Sequence, residues 1–108
     1  VSFTLYFESG GNTLTAESEK TLTDISAEVA RRPAPEITAI GHTDTMGDGA
    51  RNDALSRQRA EEVRNILVAH GVPASRIATA GRGEREPLVP TADNVDEPRN
   101  RRVEVNIR

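Results

Sequence analysis

Residues 41–63 read GHTDTMGDGARNDALSRQRAEEV, and they decide how the rest of the chain is organised. The apolar run EITAIGH (36–42) is a short, largely buried strand ending at Gly41, and TMGDGA (45–50) is a glycine-bearing loop that exposes the residues after the strand end. A helix is expected from about Asn52 or Asp53 to His70, with Gly71 as its C-terminal cap and Pro73 just beyond. With successive residues about 100° apart and Leu55 at zero, Ile66 falls at about 20°, Arg59 at about 40°, His70 at about 60°, Val63 at about 80° and Leu67 at about 120°. Arg59 therefore points with the core residues, while Arg57, Gln58, Glu61 and Arg64 form the charged outer side. A guanidinium cannot shed its proton to escape burial, so it must find a carboxylate, carbonyls, water or a bound anion. Asp44 is the nearest counter-charge in sequence. A structural ion pair is the commoner outcome for an arbitrary Asp and Arg, but a glycine loop beside a strand end and a helix start is where such sheets carry ligands.

Working outward, Phe3, Leu5 and Phe7 alternate with Ser2, Thr4 and Tyr6, the period of a strand with one buried face. Thr15 is an N-cap, Glu17 and Glu19 suit a first helical turn, and Leu22, Ile25, Ser26 and Val29 recur at helical spacing until Pro33 and Pro35. RIATAG (76–81) is a third strand. RRVEVNIR (101–108) is a fourth, with Val103, Val105 and Ile107 on one face. Between them GEREPLVPTADNVDEPRN (83–100) is expected to be a long surface loop rather than a domain linker. The order β, α, β, α, β, β predicts a two-layer α+β sandwich. Two helices are too few to cover both faces of a mixed four-stranded sheet, so both are expected on one face, with the other more solvated.

With 108 residues and 35% hydrophobic content, the chain fits one domain with a modest core. Fourteen Lys and Arg against seventeen Asp and Glu leave a net charge of −3, which offers no basic field for nucleic acid. All but one of the fourteen cations are arginine, a residue suited to planar contact with carboxylates, though base composition gives the same bias. There is no cysteine, so disulfides, thiolate metal sites and cysteine nucleophiles are excluded. No apolar run approaches membrane-spanning length, and VSFTLYF reads as a strand rather than a secretion signal. The chain opens inside an ordered element, so an export signal or anchor is expected outside these 108 residues, in a longer parent.

The run GHTDTMGDGARNDALSRQRAEEVRNILVAHGV resembles the signature of the OmpA-like peptidoglycan-binding domains. The N-terminal strand ending in Phe7, the helix after it, PASRIATAGRGEREP and the closing NRRVEVNI follow in the family's order, so the resemblance covers almost the whole chain. It implies a noncovalent anchor to the cell wall that recognises the diaminopimelate residue of the stem peptide, without catalysis or cofactor. By position it assigns Asp44 to the ligand's ammonium group and Arg59 to the carboxylate on the same carbon. Asn52 and Arg101 are implied to line the pocket with Thr43 of the GHTD run, and Leu55 and Ser56 to form the helix start that shapes it. Without ligand, Asp44 and Arg59 are expected to neutralise each other in part. Met46 departs from the small or polar residue common at its position, which bears on the loop's contacts. The implied location is the periplasm, with the parent held at the outer membrane, or at the inner membrane if it is stator-like. Other envelope proteins and a second copy of the chain are further candidate partners.

Other constellations carry less. His42, Asp44 and Asp48 do not make a calcium loop, because Met46 stands at an oxygen-ligand position, and a lone histidine is weak evidence for zinc. His42 is expected to be hydrogen-bonded at a strand end, and His70 to be a partly exposed capping residue. Ser56 lacks a nucleophile-elbow context, which argues against a hydrolase. GRGE lacks the helix of a phosphate loop. In PRNRR (98–102), a phosphate patch is the lesser reading; Arg101 is expected toward the pocket, and Arg102 on the solvated sheet face or paired with acids. A protein-interaction module of an envelope complex, with weak or no wall binding, is the alternative function.

Overall fold

A computed structural model describes Val1–Arg108. Strands β1 (Ser2–Tyr6), β2 (Ile37–Gly41), β3 (Ile77–Gly81) and β4 (Arg102–Ile107) form one sheet in the order β1-β4-β2-β3. The last strand enters the middle, antiparallel to both β1 and β2, while β2 and β3 run parallel. Parallel neighbours need a crossover, and helix α2 (Gly49–Ala69) supplies it. Helix α1 (Ala16–Ala30) packs beside β1.

The two-residue period places Leu5, Val103, Val105, Ile37 and Ala39 on the inner face of the sheet. Ile25, Val29, Val63 and Leu67 of the helices complete the same core cluster, so both helices share one face as expected. The other face carries exposed Glu104 and Asn106. Thr15 caps α1 by accepting from Ser18 N at 3.3 Å, and buried Ser18 accepts from Tyr6 N at 2.7 Å, tying the helix start to β1.

α2 begins earlier than the expected Asn52 or Asp53. Asp48 is its N-cap, and Asn52 N donates to Asp48 O at 2.9 Å, so the glycine of GDGA belongs to the first turn. At the other end Gly71, with φ 98°, closes the helix while Val72 N reaches back to Leu67 O at 3.0 Å. The buried side of α2 comprises Asn52, Ser56, Arg59, Ala60, Val63 and Leu67. These positions span about 40° to about 140° on the helical wheel, so Leu55 and Ile66 sit at its border rather than at its centre. Two 3-10 turns, Ala74–Arg76 and Pro98–Asn100, shorten the expected third and fourth strands by a residue at their starts.

Candidate functional site

The C-terminal ends of β2 and β3 press directly on α2. A Cβ on Gly41 would lie 1.9 Å from Ser56 O, and one on Gly81 would lie 2.5 Å from Ser56 Oγ, so only glycine permits this approach. Ser56 Oγ donates to Asp53 O at 2.8 Å and accepts from Gly83 N at 2.9 Å, while Thr43 N donates to Gly83 O at 2.9 Å. These bonds fix the helix over the strand ends. They set Arg59, about one turn beyond Ser56, beneath the β1–α1 loop.

Arg59 is 1% exposed. Its Nε donates to Gly11 O at 2.9 Å, Nη1 to His42 O at 3.0 Å and Nη2 to Glu8 O at 3.4 Å, with the guanidinium 5.3 Å from the centroid of the Phe7 ring. It forms no ion pair within 4.0 Å. Burial pushes its pKa down to about 10, partly offset by the attraction of Asp44 and reinforced by the repulsion of Arg101, so it stays charged at neutral pH. Three carbonyls use three of the five guanidinium N–H groups, leaving one on each Nη.

Asp44 and Arg59 attract each other, in line with the expected partial neutralisation, but they form no direct ion pair. Arg101 takes that place, its Nη1 lying 3.1 Å from Asp44 Oδ2 while also pairing with Asp96. The reason is geometric: Arg101 immediately precedes β4, whose start lies beside the end of β2, whereas three carbonyls hold Arg59 away. Asp44 Oδ2 also accepts from Glu97 N at 3.3 Å, and Oδ1 from Met46 N at 3.2 Å. A carboxylate has roughly four acceptor positions, so one remains on Oδ1.

Asp44, Asn52, Leu55 and Arg59 line one cavity of about 380 Å³. Asn52 braces its wall, donating to Met46 O at 3.0 Å and Glu84 Oε1 at 3.1 Å. Arg101 stands behind Asp44 and lines a neighbouring depression instead. Thr43 is 2% exposed, outside the cavity lining, with its hydroxyl on Asp44 O at 2.8 Å. Ser56 also lies outside the lining and in the second turn of α2, so its part is to fix the helix, not to open it. The sequence reading missed Ser9, Gly10, Gly47, Arg51 and Asp96 in the lining, and placed Met46 only as an oddity of the loop. Two grooves of similar or larger size, about 380 and 460 Å³, run beside α1 and α2, but neither is floored by a buried charge.

Residue 96 reaches the cavity because the long loop is clamped. Thr45 Oγ1 donates to Ala92 O at 2.7 Å and accepts from Val95 N at 3.0 Å; Asn94 N donates to Thr45 O at 2.9 Å. Asn94, in the left-handed region at φ 57°, accepts from Gly47 N at 3.2 Å through its side chain. The loop expected over 83–100 is thus on the surface, yet ordered against the site.

His42, 2% exposed, is hydrogen-bonded at the strand end through its backbone, its N donating to Arg102 O at 2.8 Å, but its ring, on the opposite face of the sheet, has no partner on either nitrogen. The charge of Arg102 acts on the ring, whose Nε2 is 3.9 Å from Glu104 Oε2, too far for a hydrogen bond. Arg102 is itself buried, at 4% exposure, and not on a solvated surface; it pairs with Glu104 at 2.7 Å and donates to Glu86 O at 3.1 Å. His70 is exposed at the end of α2, with Nδ1 2.7 Å from Ile66 O. No group of three or more His, Asp or Glu is arranged to hold a metal, and no helix is long and apolar enough to cross a membrane.

The family model described as "OmpA family" matches residues 6–101. The chain is 36% identical over 101 residues to the probable lipoprotein YiaD of Escherichia coli (strain K12), covering 94% of this chain and 46% of that protein. It is 34% identical over 99 residues to the peptidoglycan-binding protein ArfA of Mycobacterium bovis, covering 92% of this chain and 30% of that one. Among solved structures, the peptidoglycan-associated lipoprotein of Burkholderia pseudomallei superposes with a TM-score of 0.86 at 25% identity, covering 97% of this chain and 89% of the other. The chain therefore spans less than half the length of the two sequence relatives named.

Proposed function

The chain belongs to the OmpA family, and on that premise we propose that it binds cell-wall peptidoglycan noncovalently, gripping the diaminopimelate residue of the stem peptide. The domain carries out no reaction; it holds a longer envelope protein, of which it is one part, against the wall. The observation that carries this reading is the buried Arg59 guanidinium, without a carboxylate partner, flooring a cavity that it shares with Asp44. A relative and a structural neighbour whose names state peptidoglycan binding or association support it.

Diaminopimelate ends in a carbon bearing an ammonium and a carboxylate. The carboxylate takes the two uncommitted Arg59 N–H groups, and the ammonium donates to the remaining acceptor position of Asp44 and to Asp96. Leu55 and Met46 flank the aliphatic chain. Lysine at the same stem position has no second carboxylate and leaves Arg59 desolvated and unpaired, so rejection of lysine comes from that missing partner. Four charge-assisted hydrogen bonds at about 1.5–3 kcal/mol each are set against an association cost of about 4–15 kcal/mol, so a single stem peptide binds modestly. The wall displays many copies, and avidity supplies retention.

The test is co-sedimentation of the purified domain with intact diaminopimelate-type sacculi and no other protein. Pelleting of the wild type, lost in a folded Arg59→Ala variant, supports wall binding. A domain that stays in the supernatant would favour the protein-interaction alternative, and an Arg59→Ala variant that pellets equally would place wall binding elsewhere than at Arg59.

A further inference from the structure

The charges lining the cavity differ in their commitments. Its two acids, Asp44 and Asp96, both pair with Arg101. Its two cations, Arg51 and Arg59, pair with neither acid. Arg51 makes no side-chain hydrogen bond or ion pair at all, although Asp48 stands three positions before it, a spacing at which helical ion pairs form. Exposed arginines elsewhere divide: Arg85 reaches Asp53 at 2.9 Å and Arg99 reaches Glu97 at 3.0 Å, whereas Arg57, Arg76 and Arg108 pair with no acid, so Arg51 is set apart by its place in the cavity lining. Arg51 instead lies over the glycine of the cavity rim, where a Cβ on Gly47 would be 3.8 Å from its Nη1. The lining thus presents two guanidinium groups without an anionic partner, one buried and one at the mouth.

We propose that Arg51 is a second carboxylate-binding group of the site, so that the domain recognises an anionic peptide segment rather than one isolated headgroup. This rests on the reading of Arg59 above. Arg51 and Arg59 are eight positions apart on α2, an axial separation of about 12 Å at about 1.5 Å per residue. Both side chains line the same cavity, so two carboxylates of one stem peptide fall within their combined reach. The second carboxylate has two sources: the α-carboxylate of the γ-linked glutamyl residue preceding diaminopimelate, or the main-chain carboxylate of diaminopimelate itself. The shared chemistry is a peptide carboxylate, unamidated, within reach of the rim.

Isothermal titration at low salt with L-alanyl-γ-D-glutamyl-meso-diaminopimelate, its glutamyl α-carboxamide and its diaminopimelyl main-chain carboxamide tests this and separates the sources. One of the two amidations should weaken wild-type binding by about two- to five-fold, the range of an exposed ion pair. Arg51→Gln should bind the parent tripeptide and that amide equally, and added salt should narrow the wild-type difference. Equal wild-type affinity for all three peptides, or an Arg51→Gln variant that still discriminates, overturns the role of Arg51 and leaves Arg59 untouched. A wild type that binds none of them, or a folded Arg59→Ala variant that binds as tightly, removes the reading of the site and Arg51 with it.

Discussion

Asp44 and Arg59 line the same cavity without touching, because Asp44 Oδ2 takes Arg101 Nη1 at 3.1 Å while Arg59 spends three N–H groups on backbone carbonyls. One arginine holds the anion, and the other is left without an anionic partner. Removing Arg101 leaves a buried carboxylate short of its partner. Arg101→Gln should destabilise the fold by about 3 kcal/mol, the low end for a broken buried pair, because two backbone N–H groups still serve Asp44. Urea midpoints for Arg101→Gln, Asp44→Asn and the double variant measure it; strictly additive effects would contradict the pairing.

Gly41 sets the depth at which α2 lies. Its Cβ position is 1.9 Å from a backbone oxygen, Ser56 O, which no side-chain rotation relieves. Gly41→Ala should cost at least about 2 kcal/mol by overpacking and should weaken ligand binding, since Arg59 rides on the displaced helix. A variant of wild-type stability would show that the helix and strand ends are not in fixed contact.

Thr45 holds the loop that carries Asp96. Thr45→Val removes a hydroxyl that serves Ala92 O and Val95 N, and should cost about 1–2 kcal/mol. Amide exchange at Val95 should accelerate more than at Ile77 of β3. Unchanged protection at Val95 would mean that the loop is ordered by other contacts.

His42 gives the fold a pH dependence. Burial lowers its pKa below 6.5, the nearby Arg102 lowers it further, and Glu104 opposes both. The unfolded chain then binds the proton more readily, so this contribution is full above about pH 6.5 and is lost as pH falls below it, by at most about 1.4 kcal/mol per pH unit. Glu28 and Glu97, whose pKa values are lowered chiefly by hydrogen bonds from Arg31 and Arg99, act only below about pH 4.5. Between those windows the wild type should lose stability that His42→Leu does not; parallel curves would contradict the assignment.

Much of this was legible in the sequence, and what was not has physical causes. The strand alternation and the wheel position of Arg59 are period signals, and both led to the observed layers and to a buried arginine. The pairing of Asp44 is a different matter. Sequence places Asp44 nearer to Arg59 than to Arg101, but β4 inserts beside β2, and no local pattern reports which strand occupies the centre of a sheet. Asp96 was hidden for the same reason: a loop rich in proline and acids reads as solvated until Thr45 and Asn94 are seen to clamp it. The unpaired ring of His42 was hidden in the same way: it and Arg102, sixty positions apart and both assigned by the alternation to the open face, are each buried there.

The central claim is that Arg59 is held for a ligand carboxylate. Its most direct test is isothermal titration of the domain with a diaminopimelate stem tripeptide and with the matching lysine tripeptide. The expected result is at least about tenfold tighter binding of the diaminopimelate peptide, with that preference absent in a folded Arg59→Ala variant. Equal affinity for the two peptides, or a preference that survives the loss of Arg59, would contradict the account.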